Sequence, residues 1–445
     1  MNEFNKSNSP KPDQKNGSVL SSDTVASVEA KKMPVLGWWG SILLFLSLLG
    51  PGLITGNFGN DAGGITTYSI CGAEFGLTML WMVIPVTLLL IIYQEMSGRM
   101  GAVTGKGLSD LIRENFGIKI AFYLMIIKFV AGIANATAEF GGIASSMELL
   151  GLKNKYLTVP LIGIIVWVLP IKFSYRRVEK LFLIGILFFG CYIVSGFLSP
   201  VEWPEVGRQM ITPSFHFNDP KYLMLFIALV GTTIAPWMIF YHQSAVVEKG
   251  IKVSDYKYFR WETIFSGLTV GAVIFFIIVT SSSLYDNKIN VRTAQEVAQA
   301  LEPLAGHYAE ILFAVGFLIA SVGAAIILPL STAFSVCEIF GWESGVNKRF
   351  VDAPQFYGLY TLQLIIGIAI ILVPGINLIA VMVLSQVVNG LIIPIVLVIV
   401  IILINKKKIM GKYVNGPLFN FISIAATIAI SISAVIMLIT VLREI

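Results

Sequence analysis

The stretch Gly50-Pro51-Gly52-Leu53-Ile54-Thr55-Gly56-Asn57-Phe58-Gly59-Asn60-Asp61-Ala62-Gly63-Gly64 decides how the rest of the chain is read. It sits within an apolar segment at about residues 42–73, and about 20 mostly apolar residues suffice to span a bilayer. Its middle is wrong for a plain helix, because glycine forms helix weakly and an interior proline removes a hydrogen bond and clashes with the preceding turn. In hydrocarbon every freed N–H and C=O needs a partner, so such backbone survives only where it lines a cavity or is buried in protein. Asp61 stands in this break, and a carboxylate at that depth costs about 2.5–3.5 kcal/mol even on insertion scales. Two readings are open for it: a helix cap, or a cation ligand or proton carrier, and the second has more weight.

The sequence around this segment is that of a polytopic membrane protein. Of 445 residues, 56% are hydrophobic and only 13% charged, and the mean hydropathy is +0.81. A soluble chain carries about a quarter charged residues. Eleven spans are expected, at about 42–73, 77–98, 119–150, 156–171, 178–199, 222–248, 262–284, 308–341, 355–373, 376–404 and 417–441. The sixth repeats the anomaly of the first, with Gly231-Thr232-Thr233-Ile234-Ala235-Pro236-Trp237 in its interior. If the first ten spans form two repeats of five, the interruptions fall at corresponding positions, the best sequence pointer to a transporter's binding site.

Charge placement orients the chain. The loops after spans two, four, six, eight and ten hold 18 Lys and Arg, against six on the other side. Five tail lysines agree with the larger set, so the N-terminus is expected in the cytoplasm and the C-terminus outside, in a prokaryotic plasma membrane. The net charge of +5 is therefore topological and not a nucleic-acid footprint. Residues 1–32 are polar, lack the apolar core of a signal peptide and read as a disordered cytoplasmic tail; 33–445 read as one transmembrane domain. Cys71, Cys191 and Cys337 lie in apolar segments without paired spacing and read as small buried hydrophobes.

The other polar groups inside spans are weaker signals. Glu139 is a gating or proton-relay candidate, with a salt bridge to Lys128 or a loop cation as the plain alternative. His242 follows the sixth-span break and titrates near neutral pH when unperturbed. Gln386 and Asn389 offer amide oxygens, and Ser385 can bond back to its own helix. Trp237, beside Pro236, either lines a substrate cavity or packs. Backbone freed at Gly59, Gly63 and Pro236 adds carbonyl oxygens of the kind hard cations prefer.

At these residues the sequence resembles the NRAMP family of proton-coupled divalent-metal transporters. Gly50-Pro51-Gly52 and Asp61 resemble its first span. Ala73–Ile112 resembles the second span and following loop, "APWMIFYHQS" (Ala235–Ser244) the sixth, and "LSQVV" (Leu384–Val388) the tenth. The resemblance implies an all-α LeuT-type fold, with two inverted five-helix repeats at about 42–199 and 222–404 and an eleventh helix at about 417–441. It implies a metal site of an aspartate and asparagine from the first break, a methionine and a carbonyl from the sixth, and a span-ten glutamine. Asp61 and Gln386 keep their places, and His242 matches the second family histidine. The Asp-Pro-Gly-Asn motif has become Asp61-Ala62-Gly63-Gly64, the methionine is Ala235, the first histidine is Trp237, and the acidic pair of span three is Ala136 and Glu139.

A thioether is a soft ligand that helps favour manganese, iron or cadmium over hard calcium and magnesium, so its loss leaves an oxygen-donor set suited to a harder ion such as magnesium. The expected function is thus secondary transport of a divalent cation by alternating access, with protons as a possible coupling ion. The alternative is the same scaffold moving a non-metal or organic solute. No nucleophile–base pair, phosphate loop or nucleotide motif points to an enzyme or an ATP-driven pump, and no resident cofactor is expected.

Overall fold

The computed structural model describes residues 60–172 and 189–444, apart from 217, 255, 287–290, 292, 302–305 and 347. The N-terminal tail, the first half of span one with Gly50-Pro51-Gly52 and Gly59, and the first half of span five lie outside the described residues. Regular structure among the described residues is helical throughout. The principal helices are α1 (Ala62–Phe75), α2 (Val83–Thr104), α3 (Leu108–Phe116), α4 (Ile118–Leu149), α5 (Lys155–Lys172), α6 (Pro220–Thr233) and α7 (Pro236–Glu248). They continue with α8 (Tyr256–Asp286), α9 (Ala309–Phe340), α10 (Pro354–Ile371), α11 (Leu378–Ile404) and α12 (Pro417–Glu444).

Nine helices among the described residues are long and apolar enough to cross a membrane, counting α6 and α7 as one interrupted element. They coincide with the expected spans two to four and six to eleven. Of the remaining two spans, α1 is the described half of the first and Phe189–Leu198 the described part of the fifth. The polar stretches between spans fold into short helices, Trp203–Ile211 and Ala294–Ala298, the latter closed by a Thr293–Glu296 capping box.

The interruption between α6 and α7 follows from Pro236. A proline disfavours helical geometry in the residue before it, yet suits the first helical position, where its missing N–H would have had no partner. Ala235 is accordingly extended (φ −65°, ψ 142°), Ile234 is non-helical (φ −120°, ψ 54°), and α7 begins at Pro236.

Lipid gives helices no hydrophobic reason to associate, so close backbone approach at small residues does much of the work. Helices α6 and α11 cross at Gly231 and Gly390, where a Cβ on Gly231 would come within 2.7 Å of the Gly390 Cα. The long helices α4 and α9 share the most extensive contact, and α1 packs against α8, α11 and α6. Helix α12 is tied to α2 by the Tyr93 hydroxyl, which donates to the Ser423 carbonyl at 3.0 Å.

Candidate functional site

Helix α1 starts at Asp61, and its first turn is dressed by acidic side chains. Asp61 is extended (φ −70°, ψ 179°) and its Oδ1 accepts from the Gly64 N–H at 2.6 Å, a side-chain N-cap. Across the interface, Glu139 of α4 accepts the Ala62 N–H through Oε2 at 3.2 Å. Both side chains are buried, and Glu139 Oε1 has no hydrogen-bond partner among the described residues. Two carboxylates thus converge on the positive end of one helix, each held by a backbone donor. The cap and the ion-site readings of Asp61 are compatible in this geometry, because one carboxylate oxygen suffices for the cap.

Glu139 makes no ion pair with Lys128. Eleven residues of helix separate the two by about 16 Å along α4. Lys128 instead reaches the Ser331 carbonyl at 3.2 Å, the Ser335 hydroxyl, and the face of Phe240 with its Nζ 4.2 Å from the ring centroid.

Gln386 of α11 lies against the start of α1. Its side chain covers Gly63 so closely that a Cβ there would overlap Nε2 and stand 2.8 Å from Cδ. Asn389, one turn on, donates from Nδ2 to Gln386 Oε1 at 3.0 Å and to Asn135 Oδ1 at 2.8 Å. Asn389 is therefore engaged behind Gln386. Ser385 bonds back to the Met382 carbonyl at 2.7 Å, as expected of a helical serine.

The α6–α7 break borders the same region. The Tyr68 hydroxyl of α1 shares a 2.9 Å hydrogen bond with Thr233, the last residue of α6. Ala235 is buried and offers no side-chain cap to α7. Trp237 is buried, its carbonyl accepts from Ser331 at 3.1 Å, and its indole N–H has no acceptor among the described residues.

His242 lies elsewhere. Seven residues past Ala235 place it about 10 Å along α7, where its ring packs on Phe259 of α8 (centroids 5.1 Å apart) beside Gly98 of α2. Gly59 is outside the described residues. Gly64 contributes a backbone N–H and no side chain, and Pro236 supplies the break itself.

Two groups were not singled out in the sequence. Asn60, next to Asp61, is buried with neither amide atom hydrogen-bonded among the described residues. Met382, one turn before Gln386, accepts a hydrogen bond from Thr66 at its sulfur (3.6 Å). The oxygen-donor surroundings expected from the sequence therefore have a thioether one turn away. A polar residue adjoining an intramembrane aspartate was a usable signal for Asn60; a methionine in an apolar helix gave none for Met382. Among the described residues no three His, Cys, Asp or Glu side chains gather.

Comparison with known proteins agrees with this architecture. The chain is 24% identical over 412 residues to the divalent metal cation transporter MntH of Granulibacter bethesdensis, covering 90% of this chain and 89% of that one. Its fold is similar to the Eremococcus coleocola manganese transporter crystallised with an aromatic bis-isothiourea compound. That pair has a TM-score of 0.70 and 18% identity, covering 92% of this chain and 88% of that one. The crystal structure of MhsT in complex with L-phenylalanine, of the LeuT-type fold, is also similar (TM-score 0.59, 15% identity, 87% and 97% covered). The family model described as Natural resistance-associated macrophage protein-like matches residues 52–440. The chain belongs to that family, Nramp, whose members are integral membrane transporters and not enzymes.

Proposed function

We propose that this protein is a secondary transporter of divalent cations and that Asp61 is the principal charged ligand. The observation carrying this reading is the buried Asp61 carboxylate at the start of α1, with Gln386 pressed against the same turn and Glu139 alongside. The printed descriptions of the relatives, a divalent metal cation transporter and a manganese transporter, support the same cargo class.

The substrate is a hard ion such as magnesium. Gly64 and Ala235 stand where the family resemblance implies an asparagine and a methionine, and the donors left at the turn are a carboxylate, an amide and backbone carbonyls. Magnesium keeps several waters and needs few direct ligands. Glu139 and His242 are the candidates for proton coupling, in a cycle of alternating access. The N-terminus with its tail 1–32 is cytoplasmic and the C-terminus outside, as the 18-to-6 asymmetry of Lys and Arg supports.

One observation favours a second reading, a non-metal solute. The Trp237 indole N–H is a buried donor without an acceptor among the described residues, and a bare cation cannot use a donor.

The test is uptake into proteoliposomes under an inside-negative potential, with magnesium, manganese and cadmium in competition. Wild type should move magnesium and discriminate against cadmium. Asp61→Ala should abolish uptake without unfolding the protein, the lost N-cap costing about 0.5–2 kcal/mol. Uptake retained by that variant removes Asp61 from the site, and a wild type that moves none of the three metals returns the non-metal solute as the better reading.

A further inference from the structure

The three amides behind Asp61 form a closed hydrogen-bonded chain with a direction. Asn389 Nδ2 uses both hydrogens, one on Gln386 Oε1 (3.0 Å) and one on Asn135 Oδ1 (2.8 Å). Asn135 Nδ2 returns a longer bond to Asn389 Oδ1 (3.4 Å). Gln386 is left with its oxygen turned away from α1, while its Nε2, which also donates to Ser385 (3.2 Å), is the atom nearest Gly63. In this arrangement the glutamine shows the Asp61 turn a donor. A cation needs the oxygen.

Turning Gln386 over alone does not work. Its N–H would then meet the N–H of Asn389, donor against donor in a buried place. If Asn389 and Asn135 turn over with it, every amide–amide contact is restored with reversed polarity: Gln386 donates to Asn389, Asn135 donates to Asn389 at the short contact, and Gln386 Oε1 faces α1. The 3.2 Å contact with Ser385 is kept only if that hydroxyl leaves the Met382 carbonyl, which adds to the cost of reversal. A primary amide has a two-lone-pair acceptor and a two-hydrogen donor of nearly equal size, so both polarities satisfy the same geometry. Burial makes the mixed states costly and couples the three flips.

We propose that Asn135, Asn389 and Gln386 are a polarity relay, in which Asn135 on α4 and Asn389 on α11 are positioning residues that set whether Gln386 presents N–H or oxygen to the cation. This rests on the reading of Asp61 and Gln386 as cation ligands. It assigns to Asn389 a role different from direct ligation, and brings in Asn135, which no direct contact with the Asp61 turn identifies. Cation binding reverses the chain, and the cost of reversal is part of the affinity.

Two isosteric substitutions test it. Aspartate accepts and does not donate when ionised. Asn135→Asp holds Asn389 in its present orientation and so keeps the Gln386 N–H towards α1. Asn389→Asp draws the Gln386 N–H onto itself and turns the oxygen to the site. Both add the same negative charge at comparable places, so a simple field effect predicts that both strengthen cation binding. The relay predicts opposite signs: about tenfold weaker magnesium or manganese binding for Asn135→Asp and about tenfold tighter for Asn389→Asp, by calorimetry on purified protein. In a Gln386→Leu background the opposition should vanish. If one Asp variant does not purify as a monodisperse protein, Asn389→Leu replaces it. Freed from its partner, Gln386 then turns without resistance, and binding holds within about threefold, whereas a direct ligand would cost at least tenfold. Effects of the same sign, or effects persisting without Gln386, overturn the relay while leaving the cation site intact. A wild type that binds neither metal, like Asp61→Ala, overturns the site reading and the relay with it.

Discussion

Replacing Gly63 by alanine perturbs the candidate site without replacing any of its functional side chains. A Cβ at this position would fall on Gln386 Nε2 and lie 2.8 Å from Cδ and 3.1 Å from Cγ. Ordinary contacts are about 3.5–4.0 Å, so the amide nitrogen, 1.9 Å from such a Cβ, must retreat by about 1.5–2 Å. Overpacking of this kind costs about 1–3 kcal/mol, and alanine returns about 1 kcal/mol as the better helix former, leaving a net loss of about 0–2 kcal/mol. The effect on function should be larger than that on stability. Displacing Gln386, a proposed ligand, by that amount should lower metal affinity by at least the about 10–100-fold that loss of an outer-shell partner costs. Gly358→Ala in α10 is the control, since a Cβ there meets nothing within 4 Å. The assay pairs calorimetric binding of magnesium and manganese with a melting temperature for each variant. Gly63→Ala should bind weakly and melt near wild type, while Gly358→Ala should bind normally and melt slightly higher. Unchanged affinity in Gly63→Ala would show that Gln386 does not have to lie against α1, and would refute the placement of the site.

Three further outcomes are expected. Glu139→Leu removes the acceptor of the buried Ala62 N–H and should cost about 1–3 kcal/mol in denaturation experiments, whereas Glu139→Gln keeps an acceptor oxygen and should cost clearly less; equal losses would mean that the hydrogen bond does not hold the turn. A reporter after Ile445 should be reached only from outside and one in the loop at Lys406–Lys412 only from inside, and the reverse labelling would show a miscounted span. Asp110 in α3 is half-buried, and burial holds its carboxyl above the ordinary range although Arg113 pulls the other way. Its ionised form is thus less favourable folded than unfolded, so Asp110→Asn should raise the melting temperature at neutral pH, with the gain fading as acid protonates the wild type.

The helices were legible because hydropathy in a bilayer is a first-order signal, and the described helices fall on the expected spans within a few residues. The α6–α7 interruption was legible for a local reason, proline's effect on the residue before it. The candidate site was legible only where a residue type is costly at its position: Asp61, Glu139 and Gln386 stand out in an apolar chain, and their side chains adjoin one turn. Relations across helices left no trace in the one-dimensional pattern. Glu139 binds the Ala62 N–H, 77 residues away, rather than a cation on its own helix. Asn389 bonds to Asn135, 254 residues away. His242 matched a family position by spacing, yet its ring settles on Phe259, and the sequence offered no means to tell which side of α7 would be nearest Asp61.

If Asp61 binds the cargo as proposed, the cap on α1 links cargo occupancy to the integrity of a helix end. Asp61 Oδ1 neutralises the Gly64 N–H, and Glu139 Oε2 does the same for Ala62 from a neighbouring helix. Under the proposed cation site, an ion held by the other oxygen of either carboxylate leaves the cap in place yet draws charge from the oxygen that accepts the backbone donor, and so weakens that hydrogen bond. By thermodynamic reciprocity, whatever frays the first turn of α1 frees charge for the ion, and the ion in turn loosens that turn. Glu139 also acts as a clasp between α1 and α4, so slackening it relaxes the register between two helices at once. On that reading, a carboxylate that both fastens a joint and attracts the cargo would convert an ion's arrival into mechanical slack.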